Sequence, residues 1–193
     1  GTVTWGYFSD CVNKTSSVFR DNANIFGKVY FPRLIMPLSI IFSNLVKFGV
    51  QFILFLILLG YYLAQHRAHP NAYMLLFPVV ILLMAILGLG IGLVVTAMTT
   101  KYRDLTFVVS FGMQLLMYAT PVIYPLSAAP AKYRHIILLN PMTGLVETFR
   151  YGFLGTGQFY PEAFYYSLIA SIIVLVIGLV VFNKVEKDFV DTI

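Results

Sequence analysis

Apolar residues fall in four long blocks, at residues 34–63, 73–98, 105–126 and 164–182, with polar residues gathered between them. At 1.5 Å per helical residue, each block exceeds or nearly matches what a ~30 Å hydrocarbon layer requires. Apolar residues in blocks this long read as membrane-spanning helices. The connecting segments carry turn formers or charge: "AQHRAHPNA", "TTKYRD" and the ending "NKVEKDFVDTI".

Two regions depart from that pattern. The opening segment, residues 3–19, mixes Trp5, Tyr7, Phe8, Val12, Val18 and Phe19 with Ser9, Asp10, Asn13, Lys14 and Thr15. Alone in lipid it would be a poor span, because Asp10 and Lys14 are costly there. Packed in a bundle or beside a wet pathway it is tolerable, and the i, i+4 spacing of Asp10 and Lys14 predicts that they neutralise each other. The second region, "SAAPAKYRHIILLNPMTGLVETFRYGFLGTGQFYPE" at 127–162, has prolines at 130, 141 and 161. Its apolar pieces, 136–139 and 142–154, are too short to cross. They predict two short helices hinged at Asn140 and Pro141, a re-entrant hairpin over about 128–160. Such backbone persists at membrane depth only when buried in protein or facing water. A loop lying flat on the membrane surface is the alternative. The whole chain, 1–193, then forms one all-α integral membrane domain with about five transmembrane helices.

Composition agrees: 59% of the 193 residues are hydrophobic and 11% are charged, whereas a soluble domain carries roughly twice that charge. The net charge of +5 lies in the loops, which favours a topological role over nucleic-acid binding. If residues 34–63 run outward, the cytoplasmic side holds Lys14, Arg20, Lys28, Arg33, Lys101, Arg103, Lys184 and Lys187. The outer side holds only Arg67, Lys132, Arg134 and Arg150. This asymmetry places the C-terminus and residues 22–33 in the cytoplasm. Lys47 remains within a span, where it either snorkels to the cytoplasmic interface or faces an aqueous channel. The opening span would start outside, which implies a further helix upstream. The beginning "GTVTWGYF", without an initiator methionine, is expected to lie partway along a longer protein.

Missing motifs narrow the function. There is no G-x-x-x-x-G-K-[ST] phosphate loop, no H-E-x-x-H helix and no G-x-S-x-G elbow in the sequence. The single Cys11 allows neither an internal disulfide nor a cysteine metal site. His66, His69 and His135 read as ordinary interfacial side chains in loops. The four apolar blocks contain no Asp, Glu or His, which disfavours an ion-coupled transporter and an intramembrane enzyme. Gly88-x-Gly90-x-Gly92 lies inside an apolar block with no strand before it, so it is not a nucleotide fingerprint. Gly88 and Gly92 share one helix face and predict close helix packing.

The stretch "NANIFGKVYFPRLIMPLS" resembles the elbow after the second membrane helix in ABC-transporter permeases that export polysaccharides, the O-antigen, capsule and teichoic acid exporters. The matching positions are Asn24, Ile25, Lys28, Val29, Phe31, Pro32, Arg33 and Pro37. "KYRDLTFVVSFGMQLLMYATPVIYPLS", "LNPMTGLVETFRYGFLG" and "FNKVEKDFVDTI" are also similar to that family. The family's amphipathic N-terminal helix and first span have no counterpart here.

The resemblance implies a half-channel of six membrane helices, five of them present, in the bacterial cytoplasmic (inner) membrane. It implies a homodimer, two ABC ATPase subunits and a lipid-linked polysaccharide substrate. ATP and Mg would be bound by the ATPase, with no cofactor and no active site in this chain. The elbow at about 22–33 becomes a coupling helix seated in the ATPase, with Asn24, Ile25, Phe26, Lys28, Val29, Phe31, Pro32 and Arg33 as its contact residues. Asn24 can cap such a helix, Ile25, Phe26 and Val29 offer an apolar face, and Pro32 and Pro37 fix the turn into the next span. The hairpin resembles paired gating helices on the far side. Sugars stack on aromatic rings, so Trp5, Tyr7, Phe8, Tyr118, Tyr124, Phe149 and Tyr151 are candidates to line or gate the path. An interfacial aromatic belt explains each singly as well. An exporter of a small hydrophobic drug or lipid, and a non-transporting scaffold, remain the alternative functions.

Overall fold

A computed structural model describes residues 1–21, 34–67, 69–99, 102 and 104–190, the side chains of 19, 20, 131 and 186–190 excepted. The protein is all-α: no strand occurs among the described residues. The helices are α1 (Thr2–Ser16), α2 (Val18–Asp21), α3 (Ile35–Ala64), α4 (Phe77–Thr99), α5 (Leu105–Ala119), α6 (Ala131–Leu138), α7 (Pro141–Leu154) and α8 (Pro161–Val190). Short 3-10 turns at Ala72–Leu76 and Leu126–Ala128 lead into α4 and out of α5. Three stretches, Ile35–Ala64, Ala72–Thr99 and Pro161–Val185, are long and apolar enough to cross a membrane. In hydrocarbon only a helix satisfies its own backbone, which is why the apolar blocks take this form.

The helix ends follow local signals. Asn140 caps α7 by accepting from the Met142 amide at 3.0 Å, Pro141 occupies the first turn, and Gly155 ends the helix at φ 66. The run at 105–126 gives a shorter helix than its apolar length suggests. Helix α5 stops at Ala119 because Thr120, ahead of Pro121, is extended at ψ 144. Residues 120–126 then turn along one end of the bundle.

Helix α4 is the centre, packed most extensively against α8 and next against α1. The three glycines of α4 serve two neighbours. A Cβ at Gly88 would sit 2.9 Å from Cys11 Cβ, and one at Gly92 would sit 2.6 Å from Thr15 Cβ, so both face α1. A Cβ at Gly90 would lie 2.8 Å from backbone atoms of Val174 and Leu175, and one at Gly178 would lie 2.5 Å from the Gly90 carbonyl. Helices α4 and α8 therefore touch backbone to backbone. The close packing expected of Gly88 and Gly92 is present, and Gly90 repeats it on the opposite side.

Helix α3 is attached differently. Its buried residues are Pro37, Ile41, Asn44, Phe48 and Leu59, the first four recurring every three or four positions as one narrow stripe. That stripe lies mainly against α1, while an apolar groove of about 590 Å³ separates α3 from α4. At the far end of α1, Thr96 donates to the Thr15 carbonyl at 2.6 Å and Thr99 to the Ser16 carbonyl at 2.8 Å. These hydroxyls satisfy carbonyls that a helix terminus leaves open.

A valine at Gly90 is expected to destabilise the protein in detergent by about 2 kcal/mol or more, because a backbone contact cannot yield to it. Alanine at Gly112, where a Cβ meets nothing within 4 Å, should be neutral or slightly stabilising. Thermal unfolding of the two variants beside the parent protein measures the difference.

Candidate functional site

Helix α1 has two faces. Trp5, Tyr7, Phe8, Cys11, Val12 and Thr15 are buried among the other helices. Ser9, Asp10, Asn13 and Lys14 stand on the other side, partly or fully exposed, as a polar stripe at helical spacing. The stripe lies between α3 and α5. Toward α3, Asp10 pairs with Lys47 at 2.5 Å, and Lys14 donates to Asn44 Oδ1 at 2.8 Å. Toward α5, Asn13 accepts from Ser110 Oγ at 3.3 Å while donating to Ser9 Oγ at 3.2 Å.

Asp10 and Lys14 thus do not neutralise each other along α1, as their spacing suggests. Each finds a partner on α3, because the outward side chains reach the neighbouring helix more directly than they reach along their own. Lys47 lies twelve residues into α3, about 18 Å from its start, near the middle of a span. Its half-exposed ammonium group is held at that depth by a carboxylate.

A second polar stripe runs along α5. Thr106, Ser110, Gln114 and Tyr118 recur every four residues, and the last three are exposed. The bond from Ser110 to Asn13 joins the two stripes. Side chains that can hydrogen-bond are therefore lined up on an outward flank of otherwise apolar helices. Such groups at membrane depth call for water, a polar cargo or another helix.

The hairpin end of the bundle is built around α7. Eleven of its residues, including the charged pair Glu147 and Arg150, are buried. Arg150 forms an ion pair with Glu147 and donates to the carbonyls of Pro121 (2.9 Å), Val122 (2.8 Å) and Tyr124 (3.0 Å). Glu147 Oε1 also accepts from the Leu126 amide at 3.1 Å. The expected pair of short helices hinged at Asn140 and Pro141 is present, with its second helix enclosed by protein rather than lying flat. Arg150 is thus no free loop charge, and His135 lies on α6 rather than in a loop. Sequence reasoning passed over the pair, although acid and base three apart in an apolar helix is the signal that finds it.

The aromatic candidates are spread over several settings. Trp5, Tyr7, Phe8 and Phe149 are buried inside this chain. Phe8 meets the Trp5 ring edge-on at 5.4 Å, and Tyr7 lies 5.3 Å from Phe48. Phe149 belongs to a cluster with Phe52, Phe55, Phe77 and Phe153 that fastens α7 to α3 and α4. Tyr118 is exposed, Tyr124 is partly exposed with its hydroxyl 3.4 Å from the Tyr118 carbonyl, and Tyr151 packs on Tyr73 at 5.3 Å. The structure brings Tyr118 and Tyr124 together at the surface, while Trp5, Tyr7, Phe8 and Phe149 are packed in the interior. The coupling residues Asn24, Ile25, Phe26, Lys28, Val29, Phe31, Pro32 and Arg33 lie outside the described residues.

Comparison with known proteins agrees with this architecture. A family model described as "ABC-2 type transporter" matches residues 1–154. An O-antigen export system permease of Klebsiella pneumoniae is 28% identical over 194 residues, covering 99% of this chain and 72% of that protein. One from Myxococcus xanthus is 32% identical over 152 residues, 78% of this chain and 57% of the relative. A capsule polysaccharide export inner-membrane protein of Neisseria meningitidis is 30% identical over 106 residues, 55% of this chain and 40% of its own.

The contact between Asp10 and Lys47 generates a direct test. Alanine at either position should destabilise the protein more than alanine at both, since each single change strands the opposite charge. A double-mutant cycle read by unfolding in detergent is expected to give a coupling of about 1 kcal/mol.

Proposed function

Because the chain belongs to the ABC-2 type transporter family, we propose that it is the membrane subunit of an ATP-driven exporter of lipid-linked polysaccharide, of O-antigen or capsule type. Relatives named as O-antigen export permeases align with 99% of this chain over 72% of their own length, which supports the choice of cargo. The observation that carries the reading is the joined polar stripe of α1 and α5. A sugar chain must keep hydrogen-bond partners as it crosses, and an entirely apolar bundle would offer it none. Hydroxyls and amides along one flank supply those partners. A small hydrophobic cargo would not need them.

A second copy of the chain facing this flank encloses a wet passage, so the working unit is a homodimer. Two ATPase subunits bind ATP and Mg and press on the elbow at 22–33 from the cytoplasm, where the C-terminus also lies. The elbow sits between α1–α2 and α3 in the chain, and Asp10–Lys47 and Lys14–Asn44 tie α1 to α3. A push on the elbow moves both helices together, and with them one wall of the passage. This chain makes and breaks no covalent bond.

Alanine at both Phe26 and Lys28 should lower export at least about tenfold while leaving the membrane part folded, with ATP hydrolysis continuing unlinked to transport. Export at the parental rate by that double variant would remove the coupling role. Leucine at both Asn13 and Ser110 should slow polysaccharide export and spare ATPase association, measured by surface polysaccharide and by co-purification. Unchanged export would take the polar stripe out of the passage.

A further inference from the structure

The two helices of the hairpin are held very differently. Helix α7 is fixed along its whole length. At its start, Asn140 Nδ2 donates to Thr120 Oγ1 at 2.7 Å, and Ser167 Oγ of α8 donates to the Pro141 carbonyl at 2.5 Å. A Cβ at Gly144 would lie 2.5 Å from the Ala163 carbonyl and 2.6 Å from Ser167 Oγ, so α7 crosses α8 at close range. At its end, Asn71 bonds to the carbonyls of Tyr151 and Gly152, both at 3.0 Å. Helix α6 has no buried side chain among those described and is tied near its ends. Arg134 donates to the Ser127 and Ala129 carbonyls at 3.3 and 3.5 Å, Thr143 Oγ1 to the Ile137 carbonyl at 2.7 Å and Tyr166 to the Leu139 carbonyl at 2.9 Å. A swing of this helix exchanges these bonds for others. Tyr133 and Ile136 on it are 51% and 64% exposed, and Leu139 just after it is 67% exposed.

Between its two ends α7 is fastened by Arg150. Residues 120–125 lie outside any helix, so their carbonyls have no helical donors and must find others at this depth. One guanidinium serves Pro121, Val122 and Tyr124 together. Its planar fork of donors makes that possible, and a lysine could not reproduce it. Arg150 and Glu147 are 9% and 2% exposed, so each charge depends on the other to remain buried. Leu126, whose amide completes the network, has no exposed surface.

We propose that Arg150, neutralised by Glu147, is a positioning residue that locks residues 121–126 onto α7, so that this block stays fixed during transport while α6 swings to open the outlet. The moving half of this statement rests on the exporter reading above. The lock itself does not. The outlet opens at the joints flanking α6, which are Pro130 on one side and Asn140 with Pro141 on the other, and not between α7 and the end of α5.

The test uses the full-length protein with Cys11→Ser, reconstituted with its ATPase partner, and carrying one new cysteine at Leu126 or at Ile136. Reaction with a membrane-impermeant maleimide is followed with and without ATP. Leu126→Cys should stay unreactive in both states, and Ile136→Cys should change its rate severalfold with ATP. Adding Arg150→Ala should raise labelling at Leu126→Cys by more than about tenfold even without ATP. Arg150→Lys should restore only part of the protection, and Glu147→Gln should release it as well. The lysine and glutamine variants carry the test if the alanine variant fails to fold.

Exposure of Leu126→Cys by ATP alone, or its continued protection in all three variants, would overturn the lock. A constant rate at Ile136→Cys during measurable export would overturn the swing of α6. Absence of any export would instead sink the exporter reading and with it the swing, and the ATP-free comparison of Arg150 variants would still decide the lock.

Discussion

At membrane depth a backbone amide or carbonyl without a partner has no water to turn to, and several departures from helix among the described residues are met by a side-chain donor or acceptor. Asn140 caps the start of α7, and Asn71 closes its end. Thr96 and Thr99 cover the carbonyls at the end of α1. Arg150 serves three carbonyls of the segment after α5. Apart from the Asn140 cap, these side chains come from elements distant in sequence, so the non-helical stretches are also where the bundle is tied together. Helix α7 is held in place by these bonds at its start, its middle and its end.

Apolar packing divides the bundle into a tight part and a loose one. Helices α1, α4 and α8 approach through glycines, and α7 is wedged between them and the phenylalanines of α3 and α4. Helix α3 touches this body by one stripe, by Phe52 and Phe55 in the phenylalanine cluster, and by two polar ties to α1. Helix α3 is thus less enclosed than α4, and its polar ties lead to α1, which carries the polar flank.

Local punctuation made much of this legible from the sequence. Proline and asparagine at 140 and 141, with glycine at 155, mark a helix that the structure contains. Three of the four apolar blocks became helices at nearly the expected positions, the block at 105–126 stopped short at Ala119, and the glycines of α4 lie at close contacts. What escaped notice depended on distance along the chain. Asp10 and Lys14 have partners 37 and 30 residues away, and no local spacing reports that. The carbonyls that Arg150 serves are up to 29 residues away. The aromatic residues were legible as a class but not by place, because stacking in a core and lining a path call for the same rings. The end of α5 was visible in Pro121 and was overridden by counting apolar length alone.

The meeting of Gly90 and Gly178 also shapes what α4 and α8 can do next to each other. Two bare backbones in contact present no ridge and no groove, so nothing at that level interlocks the pair against rotation. The point acts as a bearing: the helices can tilt about it, yet cannot be drawn closer. Nor can a mutation on one side be offset by trimming the other, since neither residue has anything left to remove. A lineage that once adopted this contact could leave it only by moving both helices together.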